Sequence, residues 1–161
     1  MKRRVVVTGL GTINPTGNSV AESWANVKKS KIGIGEITFF DTTDYKVKVA
    51  AEVKDFDPAS KLDKKELRHM SRFTQLALYA AEEAIEDAGL CKAEDGSYSF
   101  DTPVSEISAD RCGVIVSSGI GGLDDIEKQN TRAKEKGYNF VSPFGRLRMF
   151  FCCSLLLSSP F

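Results

Sequence analysis

The residues that could do chemistry fall into four groups. Glycine-rich turns stand at Gly9-Leu10-Gly11 and at Ser117-Ser118-Gly119-Ile120-Gly121-Gly122. Four cations, Lys61, Lys65, Arg68 and Arg72, are spaced i, i+4, i+7 and i+11, beside the single histidine, His69. Cysteines occur at 91, 112, 152 and 153. A glycine turn with free amides can cradle phosphate, but the dinucleotide fingerprint needs a third glycine at position 14, which is Asn14, and helix onset is delayed to about Ser19. Nucleotide binding therefore stands as a minor alternative. In the second turn Ile120 is a large apolar side chain held up on glycines, either a packing residue of a structural turn or part of an apolar ligand wall. The cations form one stripe if their segment is helical throughout, and such a stripe is either a solvated face or a docking site for an acidic partner. His69, among these charges, suits contact with solvent or partner better than metal ligation or base catalysis. The cysteines show no C-x-x-C spacing and no histidine pattern, so neither a zinc site nor a disulfide framework is expected, and the cytoplasm is the expected compartment.

These groups need elements to position them. The central one is Arg111 to Gly122, where the β-branched run Val114-Ile115-Val116 reads as a buried strand meeting a tight turn. Arg3 to Gly11 reads as a first buried strand of the same kind. A helix follows, capped by Ser19 with Glu22 three residues on, burying Trp24 and Val27 and ending in Lys28-Lys29-Ser30-Lys31. Val47 to Val53 alternates with period two, as a half-exposed strand does, and Asp55 to Pro58 closes it as a turn. Asp63 to Gly89 is the longest helical stretch, capped by Asp63 and Glu66, with a break and restart at Ser71. Its face of Phe73, Leu76, Ala77, Ala80, Ala84, Ile85 and Ala88 implies close approach of another element. Cys91 to Asp110 reads as an exposed connection, and Leu123 to Gly137 as a polar helix whose charges follow the dipole.

Composition bounds the rest. With 161 residues and 42% hydrophobic content, one ordinary domain could be filled. The 22 basic and 22 acidic residues cancel, which argues against a general nucleic-acid binder. The apolar run after Met1-Lys2-Arg3-Arg4 breaks at Thr8-Gly9, short of a secretion signal, and no transmembrane segment is expected.

Taken in order, RRVVVTGLG at the start, FDTTDYKVKVAAEVKDFDP in the middle, SSGIGGL after the central strand and VSPF near the end closely resemble the N-terminal portion of the type II β-ketoacyl-acyl-carrier-protein synthases. The resemblance covers roughly residues 2 to 144. It implies an α/β chain: the incomplete N-terminal half of a thiolase-like layered α/β fold. It also implies an acyltransferase of fatty acid biosynthesis, in which a cysteine thiolate accepts an acyl chain from acyl carrier protein. Two histidines then assist decarboxylation of malonyl-carrier protein and its condensation to a 3-ketoacyl product. By the same resemblance Ile120 matches the residue that gates the acyl pocket, and Lys65 and Arg68 match basic positions that meet the acidic carrier protein. At the next such position His69 stands where a lysine is usual. No cofactor and no metal are implied, and a homodimer is.

The resemblance stops after Phe144. Residues 145 to 161, with Cys152 and Cys153, match no part of the family pattern, and neither cysteine sits in a turn like the family's nucleophile motif. No catalytic residue is therefore assigned in this chain: the nucleophilic cysteine and both catalytic histidines are missing. The expectation is a family region at 1–144 and an unrelated hydrophobic tail at 145–161, frameshifted or disordered. The bland alternative is a tail that docks on a partner or membrane surface.

Overall fold

Ser19 starts the first helix by accepting a hydrogen bond on its side chain from the Glu22 amide at 3.2 Å. Glu22 reaches back one residue further than a capping box requires, accepting from the Asn18 amide at 2.8 Å. In the computed structural model, which describes residues 4–92, 98–99, 113 and 115–141, this helix α1 spans Val20–Lys28. It ends in a left-handed residue, Ser30 at φ 55, with the Ser30 amide closing on Val27 O and the Lys31 amide on Asn26 O. Trp24 and Val27, expected inside, are exposed at 62% and 54%. Lys28 is 5.9 Å from the Trp24 ring instead.

Two short antiparallel pairs follow. Strand β1, Ile34–Glu36, pairs with β2, Val49–Ala51, in the register Ile34 to Ala51 and Glu36 to Val49. The alternation read over Val47 to Val53 is thus real but shorter, and its inner face is the opposite one: Val47 and Val49 are exposed while Glu52 is buried. A charged residue can take that place because Thr38 satisfies it. The Thr38 amide and hydroxyl both donate to the Glu52 carboxylate, at 3.0 and 2.8 Å. These bonds, the amide's first, hold the Glu52 carboxyl below its ordinary range against the opposing effect of burial. Within the expected connection after Gly89, β3, Cys91–Lys92, pairs with β4, Tyr98–Ser99.

The long helical stretch breaks where expected. A 3₁₀ turn at Pro58–Ser60 precedes α2, Lys64–Leu67, capped by the Asp63 side chain, and α3 runs Arg72–Asp87. Gly89, at φ 71, ends α3 with bonds from its own amide to Glu86 O and from the Leu90 amide to Ile85 O. Helix α4, Leu123–Lys136, carries Asp124 and Asp125 in its first turn and Lys134 and Lys136 in its last, and Gly137 follows at φ 95.

The chain divides into two compact units, one of Met1–Asp57 and Ala80–Thr102, the other of Pro58–Tyr79 and Pro103–Phe161. In the first unit the alanine face of α3 has the close neighbour its composition implied, the backbone of Gly9 to Gly11. A Cβ at Gly9 would stand 2.7 Å from Ala88 N, and one at Gly11 would stand 2.7 Å from Ala84 N.

The described residues of the two apolar runs expected as buried strands are not in strands. Val5, Val6 and Val7 are exposed at 95%, 65% and 78%, and Ile115 at 96%. A strand requires a ladder partner, and among the described residues Val5, Val6 and Val7 pair with no strand. Val114 lies outside the described residues, as do Cys112, the boundary expected after Phe144 and the tail at 145–161. Among the described residues the buried side chains are mainly polar, Ser23, Glu52, Ser71, Thr74, Glu82 and Asp125, and Ala133 is buried as well.

Candidate functional site

The basic residues are carried by a short capped helix and its exit, not by one continuous helix. Asp63 accepts from the Lys65 amide at 2.6 Å, which fixes the first turn of α2, and the His69 amide closes on Glu66 O at 2.9 Å. Lys65, Arg68 and His69 are all exposed and stand at i, i+3 and i+4, so they share one face of this turn. Lys61 lies before α2 with its ammonium 5.2 Å from the Tyr79 ring, and Arg72 opens α3 beyond the break. The four-cation stripe is therefore not one helical face: Lys65 lies on α2, with Arg68 and His69 on the exposed turn that leaves it.

The break behind this face is held by two side chains. Gln75 Nε2 donates to Leu67 O at 3.3 Å and to Met70 O at 3.1 Å, tying the exit of α2 to the first turn of α3. Ser71 is only 3% exposed, and its hydroxyl donates to the carboxylate of Asp125, also buried, in the first turn of α4. Three residues before α4 is Ile120, in a bend where the Gly121 amide donates to Ser118 Oγ at 3.0 Å and Gly121 takes φ 78. Ile120 is 68% exposed, held outward as the glycines on either side allow.

The first glycine turn is committed elsewhere. The Leu10 amide donates to Asp87 and the Thr12 amide to Glu83, each at 2.9 Å, and Glu83 also accepts from the Val20 amide at 2.8 Å. Asn14, standing where a third glycine would be needed, caps the turn: its Oδ1 accepts from the Thr16 amide at 2.8 Å and its Nδ2 donates to Ser23 Oγ at 2.9 Å. The Leu10 and Thr12 amides thus face carboxylates where a phosphate-binding turn would leave them free, which counts against the dinucleotide alternative. Among the described residues no group of three or more His, Cys, Asp or Glu could hold a metal ion, and no helix is long and apolar enough to cross a membrane.

Sequence reasoning marks Ser71 only as a helix restart and does not single out Glu83 or the Ser71 to Asp125 bond. Asp125 is a first-turn acid that suits the dipole of α4, and nothing local in the sequence distinguishes it from exposed Asp124.

Comparison with solved structures defines the class. The fold is that of the N-terminal part of a layered α/β ketosynthase of thiolase-like type. The ishigamide ketosynthase/chain length factor superposes with a TM-score of 0.70 at 29% identity, over 92% of this chain and 34% of that one. A type II polyketide ketosynthase in complex with its acyl-carrier protein shares the fold at a TM-score of 0.66 and 22% identity, over 92% of this chain and 35% of that one. The chain belongs to the β-ketoacyl synthase family: the model of the "Beta-ketoacyl synthase, N-terminal domain" matches residues 2–153. The 3-oxoacyl-[acyl-carrier-protein] synthase 2 of Staphylococcus aureus (strain COL) is 43% identical over 88% of this chain. That of Synechocystis sp. (strain ATCC 27184 / PCC 6803 / Kazusa) is 42% identical over 89%. The chain spans about a third of the length of these relatives, 31% and 32%.

Proposed function

We propose that this chain is the N-terminal portion of a 3-oxoacyl-[acyl-carrier-protein] synthase 2, an enzyme of fatty acid elongation, and that alone it is catalytically inactive. The observation that carries the reading is the 43% identity to such a synthase over 88% of the chain. The reaction needs a thiolate to take the acyl group from its carrier thioester. It then needs imidazole donors to stabilise the negative charge left on the malonyl thioester as carbon dioxide departs, before that carbon attacks the acyl-enzyme and releases the cysteine. This chain holds one histidine, His69, on the exposed face beside Lys65 and Arg68, and so cannot furnish two. What it contributes to the proposed whole is recognition. Lys65, Arg68 and His69 present the face that meets acyl carrier protein, and Ile120 stands at the mouth of the acyl pocket. The intact synthase is proposed to be cytoplasmic and homodimeric.

The test is acyl transfer. Incubated with acyl-loaded carrier protein, the chain forms no acyl-cysteine detectable by mass spectrometry. A stable acyl adduct on any of its cysteines overturns the inactivity.

A second reading, a non-catalytic module that retains carrier binding, is favoured by the exposure of the Lys65, Arg68 and His69 face. It requires that the isolated chain itself binds carrier protein, and no binding above background removes it.

A further inference from the structure

We infer that Ser71 and Asp125 are positioning residues that couple the basic face of α2 to the Ile120 turn, so that a carrier protein docking at Lys65 and Arg68 alters the setting of Ile120. The inference rests on the proposed carrier docking for its purpose, but the coupling itself is a property of one compact unit. The chain of contacts is continuous. Lys65 and Arg68 ride on α2 and its exit. That exit is closed by the amides of His69 and Met70 on Glu66 O and Leu67 O, and it is tied to α3 by Gln75 through Leu67 O and Met70 O. Ser71 then crosses 54 residues of sequence to Asp125. From Asp125 the first turn of α4 leads back through the Ile126 amide to Gly122 O and the Leu123 amide to Gly121 O, directly beside Ile120.

Burial gives this link its weight. A hydroxyl to carboxylate bond between groups at 3% and 9% exposure sits where water cannot substitute for either partner. An exposed pair such as Asp124 with Lys128, 3.1 Å apart, transmits nothing comparable, because each end is solvated as well without the other. Gly119 and Gly121 make the Ile120 segment soft, with Gly121 at φ 78, whereas α4 is a regular helix, so a shift of its first turn is taken up in the glycines.

The experiment compares the full 161-residue chain with Ser71→Ala, Asp125→Asn and Ser71→Thr, which keeps the hydroxyl. Amide hydrogen exchange is read at His69 and Met70 on one side and at Gly121 and Leu123 on the other. Ser71→Ala and Asp125→Asn accelerate exchange roughly tenfold or more on both sides together, and Ser71→Thr restores it. Acceleration confined to one side overturns the coupling. In a second arm, the Ile120 side-chain methyl signals are followed as acyl carrier protein is added. They shift in the unaltered chain and in Ser71→Thr, and stay fixed in Ser71→Ala while carrier affinity changes less than about twofold. A shift that persists in Ser71→Ala overturns the inference. If the unaltered chain binds no carrier protein, the docking reading falls, and the exchange arm still decides the link.

Discussion

Gly11 lies so close to Ala80 that a side chain at Gly11 would overlap the Ala80 carbonyl oxygen. The obstacle is helix backbone, which cannot move aside as a flexible side chain can. Gly11→Ala is therefore expected to destabilise the chain by about 1–3 kcal/mol, and Gly9→Ala similarly. Gly119→Ala meets nothing within 4 Å and should be close to neutral. Chemical denaturation of the three variants checks the contrast. Equal stability of Gly11→Ala and Gly119→Ala would mean that the turn does not rest on α3.

Helices α1 and α3 end with the same pair of closing bonds around a left-handed residue, but one uses Ser30 and the other Gly89. Side chains resist that conformation. Ser30→Gly should stabilise by about 0.5–1 kcal/mol after the larger unfolded-state entropy of glycine, and Gly89→Ala should cost about 1–2 kcal/mol. Opposite shifts in thermal midpoint are the expected readout.

Glu83 accepts two amides with two oxygens, from Thr12 and from Val20. Glutamine keeps only one acceptor oxygen. Glu83→Gln should then lose about 1–3 kcal/mol and raise amide exchange at one of Thr12 or Val20 far more than at the other. Uniform, small changes at both would show that the carboxylate does not hold the turn.

The Glu52 carboxyl titrates below its ordinary 4.5 in the folded chain, chiefly because of the Thr38 amide. Its contribution is therefore complete above that value and is lost as pH falls through the lower, folded one. Asp41, lowered below its ordinary 3.8 first by the Thr43 hydroxyl and then by its amide, acts in the same direction. Stability should decline as pH falls through and below the ordinary carboxylate range, and Glu52→Gln should flatten part of that decline. An unchanged slope in Glu52→Gln would assign the acid sensitivity to other groups.

What could be read from the sequence was what residues decide within a turn of themselves. Ser19 and Asp63 cap helices, Gly89 and Gly137 stop them, and the restart at Ser71 follows from the same local signals. Even the close approach over Ala80 and Ala84 was legible, because small side chains only help where something comes near. Strands were not legible in this sense. Val5-Val6-Val7 has every intrinsic preference for a sheet, yet a ladder depends on a partner remote in sequence, and among the described residues it has none. The burial of Glu52 was not legible for a related reason, since Thr38, remote in sequence, donates the bonds that make it an acceptable buried group. The basic segment was legible in its residues and not in its shape: the spacing of Lys61 to Arg72 suggests one helix, while the chain breaks before Ser71 into α2 and α3. The bond from Ser71 to Asp125 joins two residues that each look ordinary in their own neighbourhood.

The most direct test of the proposed role is calorimetric titration of acyl carrier protein into the 161-residue chain, alongside Lys65→Glu and Arg68→Glu. Saturable binding is expected, weakening with added salt and falling at least about tenfold in either charge reversal, since each replaces attraction to an acidic partner with repulsion. No saturable binding, or binding indifferent to both substitutions, would contradict it.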